Sequence, residues 1–247
     1  MIDFLVTWRN PLAMGVTLMG ATLWLRLWDS LAAQGRIESK LSRKIIHITT
    51  GPLFVLCWPL FDASFSARGW AALVPGVLTA QFLAVGMGWI DDPAAVQAMT
   101  RQGQRGELLK GPLQYGLVFV GCTLVFWRSS PLSLTALMTI CGGDGLADIV
   151  GRRYGRHKLP WNGQKSWAGS LAMFLGALGL TVLMLSLFDA LQLVRAPLGT
   201  GQEWGKVVLI LSGATLVESL PLRDVDNLTI TLATLGLGIW LWGSDLF

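Results

Sequence analysis

The stretch SWAGSLAMFLGALGLTVLMLSL, residues 166–187, decides the fold of this chain. It contains no charged side chain from its first residue to its last. A helix needs about 20 consecutive apolar residues to cross the hydrocarbon core of a bilayer. The stretch therefore predicts a transmembrane helix, and its neighbours along the chain have the same character.

The composition of the whole chain is that of a membrane protein. Of its 247 residues, 53% are hydrophobic and 14% are charged, and the mean hydropathy is +0.55. Soluble domains carry about 25% charged residues, so this chain lacks the polar groups that a water-facing surface needs. This excludes a disordered chain, and three isolated cysteines exclude a disulfide scaffold or a zinc site. We expect a single membrane domain over residues 1–247.

Apolar runs bounded by charges, prolines and turn residues predict an all-α polytopic protein with about eight transmembrane helices, within a range of seven to nine. The predicted spans are 11–28, 45–61, 70–90, 111–127, 131–150, 166–187, 205–220 and 228–243. Pro11, Pro112 and Pro131 are typical of helix starts. The short segment 2–8 is compatible with a position at the membrane interface.

The basic residues are distributed unevenly between the two sides that eight spans define. The loops 29–44, 91–110, 151–165 and 221–227, together with Arg26, hold 14 of the 19 Lys and Arg residues. By the positive-inside rule these loops are cytoplasmic and both termini are non-cytoplasmic. Because nucleotides are cytoplasmic, any phosphate chemistry should belong to these four loops. The net charge of +4 arises from these loops. Since the positive charge is explained by the orientation in the membrane, we expect no nucleic-acid partner.

The densest polar stretch is GGDGLADIVGRR, residues 142–153, at the cytoplasmic end of the fifth span. Asp144, Asp148 and Arg152 follow one another at intervals of four, so a helix places them along one face. Two carboxylates one turn apart can share Mg²⁺ with substrate phosphates, and acids at membrane depth indicate function. The alternative is a structural Asp148–Arg152 pair, and the glycines fit either a ligand or close helix packing.

A basic loop follows directly and ends at the sixth span. Arg152, Arg153, Lys158 and Lys165 are candidate ligands of nucleotide phosphates, with Lys165 at the expected start of a helix, where free N–H groups attract anions. Anchoring to anionic lipid headgroups is the alternative for the exposed cations. The chain contains neither a Walker-type loop nor the protein-kinase motifs.

Further candidates lie in the other loops on the same predicted side. Lys44 and His47 are spaced as neighbours at the start of the second span, where they can meet a nucleotide or a hydroxyl group. Glu107 and Lys110 belong to a charged loop before the fourth span. The alternative for Lys44 is anchoring at the membrane interface, and that for His47 is helix capping. Helix initiation at Pro112 explains the end of the charged loop without a function.

A last acidic stretch surrounds the end of the seventh span. Glu218 lies within an apolar run, where a carboxylate is costly, and it is a candidate for function. Asp226 and Asn227 are further candidates, with the alternative that they only cap the eighth span.

Four separate blocks of the chain resemble the phytol kinase branch of the membrane family that also contains dolichol kinases and phosphatidate cytidylyltransferases. The blocks are SRKIIHITTGPLFVLCWPLF (42–61), RGELLKGPLQY (105–115), GGDGLADIVGRRYGRHKLPWNGQKSWAGS (142–170) and VESLPLRDVDNLTI (217–230). Two positions depart from the family's pattern. Ala168 stands where cytidylyltransferases have Glu, which favours the kinase branch. Val225 stands where relatives often have a second Asp, so that Asp224 is a possible substitute.

The resemblance implies phosphorylation of a long-chain isoprenoid alcohol, phytol above all, with CTP as donor and Mg²⁺ as cofactor, in the salvage of chlorophyll phytol for tocopherol synthesis. UTP or ATP are possible donors, membrane lipid is the surrounding partner, and an oligomer is possible. On this hypothesis Asp144 and Asp148 bind Mg²⁺. Lys165 and Arg152, with Lys158 as a further candidate, neutralise the transferred phosphoryl group. The general base is open between Asp148, Asp226 and His47. The alternatives are nucleotidyl transfer to a lipid phosphate and, less in keeping with the clustered charges, an ion-coupled transporter.

Overall fold

The structure is a computed structural model that describes residues 2–195, 201–222 and 225–243, with side chains from residue 7 onward. It divides into two compact units, residues 1–124 and 125–247. The first unit contains α1 (Ile2–Ala33), α2 (Ser39–Leu56), α3 (Ala67–Met87), α4 (Pro93–Met99) and α5 (Gly111–Val125), with 3₁₀ turns at Trp58–Leu60 and Arg105–Leu109. Within this unit α1 packs against α2 and α3, and the second 3₁₀ turn packs against α3.

The second unit is built around a continuous helical path of three segments. These are α6 (Pro131–Met138), a π-helical segment (Thr139–Asp144) and α7 (Gly145–Tyr154). They are followed by the strands β1 (Lys158–Leu159) and β2 (Asn162–Ser166) and by α8 (Trp167–Ala190), α9 (Gly201–Ser219) and α10 (Asp226–Trp242). The helical path packs along α8, while α10 packs against α9 and α6.

Helix α6 forms the centre of the second unit. All of its residues are buried, as expected for a helix that is apolar around its whole circumference. Its hydroxyl groups find backbone partners: Thr135 donates to the carbonyl of Pro131 at 2.8 Å, and Ser133 donates to that of the N-cap residue Ser130 at 2.9 Å. The buried polar groups therefore cost little.

Glycines allow the π-helical segment to approach α8 closely. A Cβ on Gly142 would lie 2.6 Å from the carbonyl oxygen of Gly176, and a Cβ on Gly176 would lie 2.5 Å from the carbonyl oxygen of Gly142. Small residues at such contacts are typical of helix packing in membranes. The glycines before Asp144 thus serve helix packing, which was one of their two predicted uses.

The predicted all-α membrane fold is confirmed, and each of the eight predicted spans coincides with helical structure. Among the described residues, four segments are long and apolar enough to cross a membrane by length and composition: Ala67–Met87, Arg105–Val125, Pro131–Tyr154 and Trp167–Ala190. The predicted number of eight spans and the orientation of the termini stay predictions.

The helix start predicted at Pro11 is wrong. Helix α1 runs through Pro11 from Ile2, so residues 2–8 belong to that helix. Asn10, the residue before Pro11, accepts a hydrogen bond from the N–H of Asp62 at 3.0 Å and donates to Ser64 Oγ at 3.4 Å. Its side chain fixes a loop, and the helix begins earlier. The starts predicted at Pro112 and Pro131 are confirmed, the latter with Ser130 as N-cap.

Candidate functional site

The acidic motif lies where the π-helical segment passes into α7. Asp144 is the last residue of the π-helical segment, and Asp148 lies in the first turn of α7. Arg152 binds Asp148 Oδ1 through Nε at 2.9 Å and through Nη2 at 2.8 Å. The predicted helical spacing of Asp148 and Arg152 is confirmed, and the pair is partly exposed. A π-helical turn directly before such a motif is typical of functional sites.

Lys165 lies among three carboxylates from different elements. Its ammonium group contacts Glu218 Oε1 in an ion pair and lies 3.6 Å from Asp226 Oδ2. Burial by itself would lower the pKa of Lys165, but the charges of Glu218, Asp226 and Asp144 outweigh it and raise the pKa above its ordinary value. Lys165 is therefore a stable cation at physiological pH. Its side chain keeps 26% exposure, whereas that of Glu218 keeps 2%.

The strands β1 and β2 form an antiparallel hairpin that carries Lys165 to this position. Lys158 pairs with Ser166, and Leu159 pairs with Asn162 across a turn. Trp161 donates from Nε1 to Ser219 Oγ at 3.1 Å, and Asn162 donates from Nδ2 to the carbonyl oxygen of Ser219 at 3.0 Å. Both bonds fasten the hairpin to the C-terminal end of α9, the end that also bears Glu218.

The helix start predicted beside Lys165 is confirmed, with Ser166 as the N-cap, but Lys165 itself lies just outside the helix. Lys165 belongs to β2, and helix α8 begins at Trp167. Ser166 has an extended backbone, and its Oγ accepts a hydrogen bond from the N–H of Gly169 at 3.1 Å, as an N-cap does. Because the cap stands at Ser166, the residue before it remains in the strand. The electrostatic setting of Lys165 comes from carboxylates and not from a helix N-terminus.

The remaining cations of the loop are exposed. The guanidinium of Arg153 lies 5.6 Å from the centre of the Tyr154 ring, a cation–π contact at the surface. Lys158 lies on β1 with its side chain exposed. This is the arrangement expected of groups that meet either a phosphate or a lipid headgroup, and it leaves both interpretations open.

Asp226 does not cap the eighth predicted span. Helix α10 begins at Asp226, its N-cap residue is Val225, and no side chain bonds the cap. The carboxylate of Asp226 faces Lys165 instead. Asn227 lies in the same first turn, where its carbonyl oxygen accepts a hydrogen bond from Thr231 Oγ1 at 2.6 Å. Asp224, the possible substitute for a second aspartate, lies outside the described residues, as does Arg223.

The other candidates belong to the first unit, which is described by itself. His47 lies on α2 with its ring 4.6 Å from that of Tyr115, whose hydroxyl donates to the His47 carbonyl at 2.8 Å. Lys44 lies one turn earlier on the same helix. Lys110 follows the 3₁₀ turn Arg105–Leu109 as its C-cap residue.

Glu107 has a local role in the fold of the first unit. Its carboxylate accepts hydrogen bonds from the backbone N–H groups of Arg101 at 2.7 Å, Gln102 at 2.9 Å and Gln104 at 3.4 Å. Three such bonds hold the loop before α5 in shape. This accounts for the carboxylate without a ligand.

The acids of the second unit can supply only part of the ligands of Mg²⁺, with the rest coming from water and substrate phosphates. Among the residues that the structure describes, no group of three or more His, Cys, Asp or Glu side chains is gathered to hold a metal. Mg²⁺ is commonly bound through one or two carboxylates, with water and substrate phosphates filling the other positions. Asp144 and Asp148 suit that mode by their chemistry, although Asp148 would have to share its carboxylate with Arg152.

Sequence reasoning missed the hairpin and its attachment. Pro160 and Trp161 occupy the turn between β1 and β2, and proline is favoured at the first central position of such a turn. That signal was present, but strands of two and five residues are too short for an alternating pattern to stand out. The hydrogen bonds to Ser219 are long-range contacts that no local pattern indicates.

Comparison with known proteins found close relatives. The chain is 44% identical to a protein of Triticum aestivum named "Probable phytol kinase, chloroplastic", over 93% of this chain and 78% of the relative. It is 39% identical to "Farnesol kinase, chloroplastic" of Arabidopsis thaliana, over 93% of this chain and 75% of the relative. It is also 39% identical to "Phytol kinase 1, chloroplastic" of the same plant, over 87% and 71%. No family model matches the chain, and no solved structure does.

Proposed function

The chain belongs to the phytol kinase family, and from this premise we propose that it transfers the γ-phosphoryl group of CTP to the hydroxyl of a long-chain isoprenoid alcohol. Phytol is the preferred acceptor in this proposal, and UTP and ATP are weaker donors. The observation that carries the proposal is the extent of the match. Relatives named for phytol or farnesol kinase activity align with 87–93% of the chain at 39–44% identity.

The geometry of the second unit supports this chemistry. Phosphoryl transfer asks little covalent work of a protein and depends mainly on positioning and on neutralising negative charge. Lys165 supplies a fixed cation, and Arg152, Arg153 and Lys158 supply exposed cations on the same stretch of chain. We assign Lys165 and Arg152 to the transferred phosphoryl group, and Arg153 and Lys158 to the rest of the triphosphate. Lys44 is a further candidate from the first unit.

Asp144 and Asp148 are the residues that would hold Mg²⁺. The ion supplies charge neutralisation at the phosphate oxygens when it is bound. In the proposed site Asp144 also acts electrostatically on Lys165 and Glu218, so it links the acidic motif to the hairpin. Within the second unit the alcohol gives up its proton to Asp148 or Asp226, between which the proposal does not choose, and the role predicted for His47 of the first unit stays a prediction.

The site is proposed to face the cytoplasm. Every loop that carries a candidate residue belongs to the basic side of the chain, and nucleotides are cytoplasmic solutes. The proposed setting is an inner membrane of bacterial type or a photosynthetic membrane. In either the alcohol remains dissolved in the bilayer and presents its hydroxyl at the surface.

One assay tests the donor, the acceptor and the reaction type together. The purified chain is incubated with Mg²⁺, with each of CTP, UTP, GTP and ATP, and with phytol, farnesol, geranylgeraniol or dolichol. A kinase releases CDP and an alcohol monophosphate, and we expect CTP with phytol to react fastest. A parallel incubation replaces the alcohol with a lipid phosphate, and release of pyrophosphate from CTP there would instead assign the chain to nucleotidyl transfer. If none of the alcohols is phosphorylated with any of the four nucleotides, the proposal is overturned.

A further inference from the structure

We propose that Glu218 is a positioning residue, which holds the ammonium group of Lys165 in place for phosphoryl transfer. The inference rests on the proposed function, and it extends that function to a residue that meets neither substrate. It is carried by three features of the second unit: the burial of Glu218, the attachment of the hairpin to α9, and the arrangement of charge around Lys165.

Glu218 is a buried carboxylate at the end of α9. Its side chain is 2% exposed, and Oε1 contacts the ammonium of Lys165. Its second oxygen, Oε2, is buried and has no hydrogen-bond partner among the residues that the structure describes. A half-satisfied buried carboxylate is expensive, and an apolar residue of similar size would pack at this depth at lower cost. The ion pair to Lys165 gives the carboxylate a reason to be there.

The ion pair with Glu218 orders the side chain of Lys165. A lysine side chain has several rotatable bonds and loses about 2 kcal/mol of rotamer freedom when it is ordered. Glu218 is rigid by burial, so it can order the flexible group. The next residue of α9, Ser219, accepts the hydrogen bonds from Trp161 and Asn162. Two consecutive residues of α9 thus hold the hairpin: Ser219 holds its turn, and Glu218 holds the side chain of Lys165.

The charges around Lys165 indicate whether Glu218 positions the ammonium group or helps to attract the nucleotide. Glu218 from α9, Asp226 from α10 and Asp144 from the π-helical segment all act on the one ammonium group. Asp144 is assigned to the metal, but Glu218 is a carboxylate without that role, and its negative charge repels a triphosphate. Removing the charge of Glu218 therefore relieves repulsion, and it does not weaken binding of the nucleotide. The cost of its loss falls on the rate of the chemical step, because Lys165 is no longer held.

Glu218→Gln tests this with the full chain in detergent or in proteoliposomes. Gln keeps the size of the side chain and removes its charge. We expect kcat to fall about 10- to 100-fold, the loss typical of a misplaced catalytic group. We expect KM for the nucleotide to stay unchanged or to decrease. Glu218→Asp keeps the charge and should restore a large part of kcat.

Glu203→Gln is the matched control on the same helix. Glu203 lies in the first turn of α9, where it binds Lys206 at 2.9 Å and the indole N–H of Trp242 at 2.7 Å. It has the same side chain and similar partners, but it lies at the end of α9 opposite to Glu218. We expect Glu203→Gln to leave kcat and KM unchanged.

A second measurement does not depend on turnover. Limited acetylation across a pH series, read by mass spectrometry, reports how easily Lys165 is deprotonated. We expect acetylation of Lys165 to begin at lower pH in Glu218→Gln than in the wild type, and to be unaffected in Glu203→Gln. Unchanged acetylation of Lys165, or a raised KM with unchanged kcat, would overturn the role of Glu218. If the wild type phosphorylates no alcohol while the acetylation shift is present, the proposed function fails but the hold on Lys165 stands.

Discussion

Lys165 is the residue on which the electrostatics of the second unit converge, and its charge state can be tested by pH. Burial would lower the pKa of Lys165, but Glu218, Asp226 and Asp144 raise it above the ordinary value. A group whose pKa is raised by folding contributes stability in full below the unfolded pKa, about 10.5 for lysine. That contribution is lost only as the pH rises through the folded pKa.

We therefore expect no loss of rate from deprotonation of Lys165 between about pH 7 and pH 10. Arginine stays charged throughout this range, so Lys165→Arg serves as the reference. The pH profiles of kcat for the wild type and for Lys165→Arg should run parallel, whatever their absolute rates. An alkaline decline that occurs in the wild type but not in Lys165→Arg would contradict the raised pKa.

Asp144→Asn is expected to lower turnover by at least about 1,000-fold while the protein stays folded, since it removes a charge proposed to bind the metal. The side chain keeps its size, so the helical path of the second unit should be preserved. The measurement is turnover with saturating nucleotide and alcohol, with thermal unfolding in detergent as the check on folding. Asp189→Asn, at an exposed position near the end of α8, is the control. Normal turnover in Asp144→Asn would remove the metal hypothesis.

Individual residues were predictable from the sequence where their partners lie close along the chain. The pair of Asp148 and Arg152 follows from helical spacing and is confirmed. Lys165 was assigned to a helix start, and its real partners lie 53 and 61 positions further along the chain. No local pattern shows that Glu218 and Lys165 meet. The sequence does mark Glu218, however, because a carboxylate within an apolar run calls for an explanation.

At the scale of elements, the close approach of the π-helical segment to α8 depends on glycine. We expect Gly142→Ala and Gly176→Ala each to destabilise the protein by about 1–3 kcal/mol, because a methyl group would collide with backbone that cannot move aside. Gly179→Ala lies on the same helix and meets nothing within 4 Å, so it should be neutral or slightly stabilising. Unfolding in detergent measures all three. Equal stability of the three variants would show that the contact is loose.

The attachment of the hairpin gives a second prediction at this scale. Asn162 is buried, donates to the carbonyl of Ser219, and accepts a hydrogen bond from the N–H of Gln164 at 3.1 Å. Asn162→Ala removes both bonds and should cost about 1–3 kcal/mol of stability. Turnover should fall with it, because Lys165 is three residues along the strand. The exposed Gln164→Ala is the control, and equal turnover in both variants would separate the hairpin from the site.

Helices were predictable as elements because each long apolar run has only one way to satisfy its backbone in a membrane. The boundaries were less so. Pro11 lies inside α1, and the side chain of Asn10 before it fixes a loop. The π-helical turn before Asp144 was not predicted, and no residue pattern distinguishes it from an ordinary helical turn. Gly142 and Gly143 in this segment lie against α8, where a Cβ on either would come within 2.6 Å of a neighbouring atom.

At the scale of the whole molecule, the placement of charge predicts which loops share a side of the membrane. The loop 91–110 belongs to the basic set, and the short loop between the second and third spans does not. Gln102 and Phe65 are exposed positions in these two loops. Single cysteines at these sites, in a chain whose three natural cysteines are replaced, can be labelled with a reagent that does not cross membranes.

We expect Gln102→Cys to react only from the cytoplasmic side and Phe65→Cys only from the opposite side. The argument is physical: cytoplasmic retention of Lys and Arg orients the spans, and the nucleotide that the proposed reaction consumes is present on that side alone. A tag on the N-terminus should be accessible from the same side of the membrane as the cysteine in Phe65→Cys. It should be inaccessible from the side on which the cysteine in Gln102→Cys reacts. If both cysteines are labelled from one side, the two loops lie on the same side of the membrane, and the single span predicted between them is wrong. The basic loops could then no longer be assigned to one compartment, and the cytoplasmic site would lose its support while the family assignment remained.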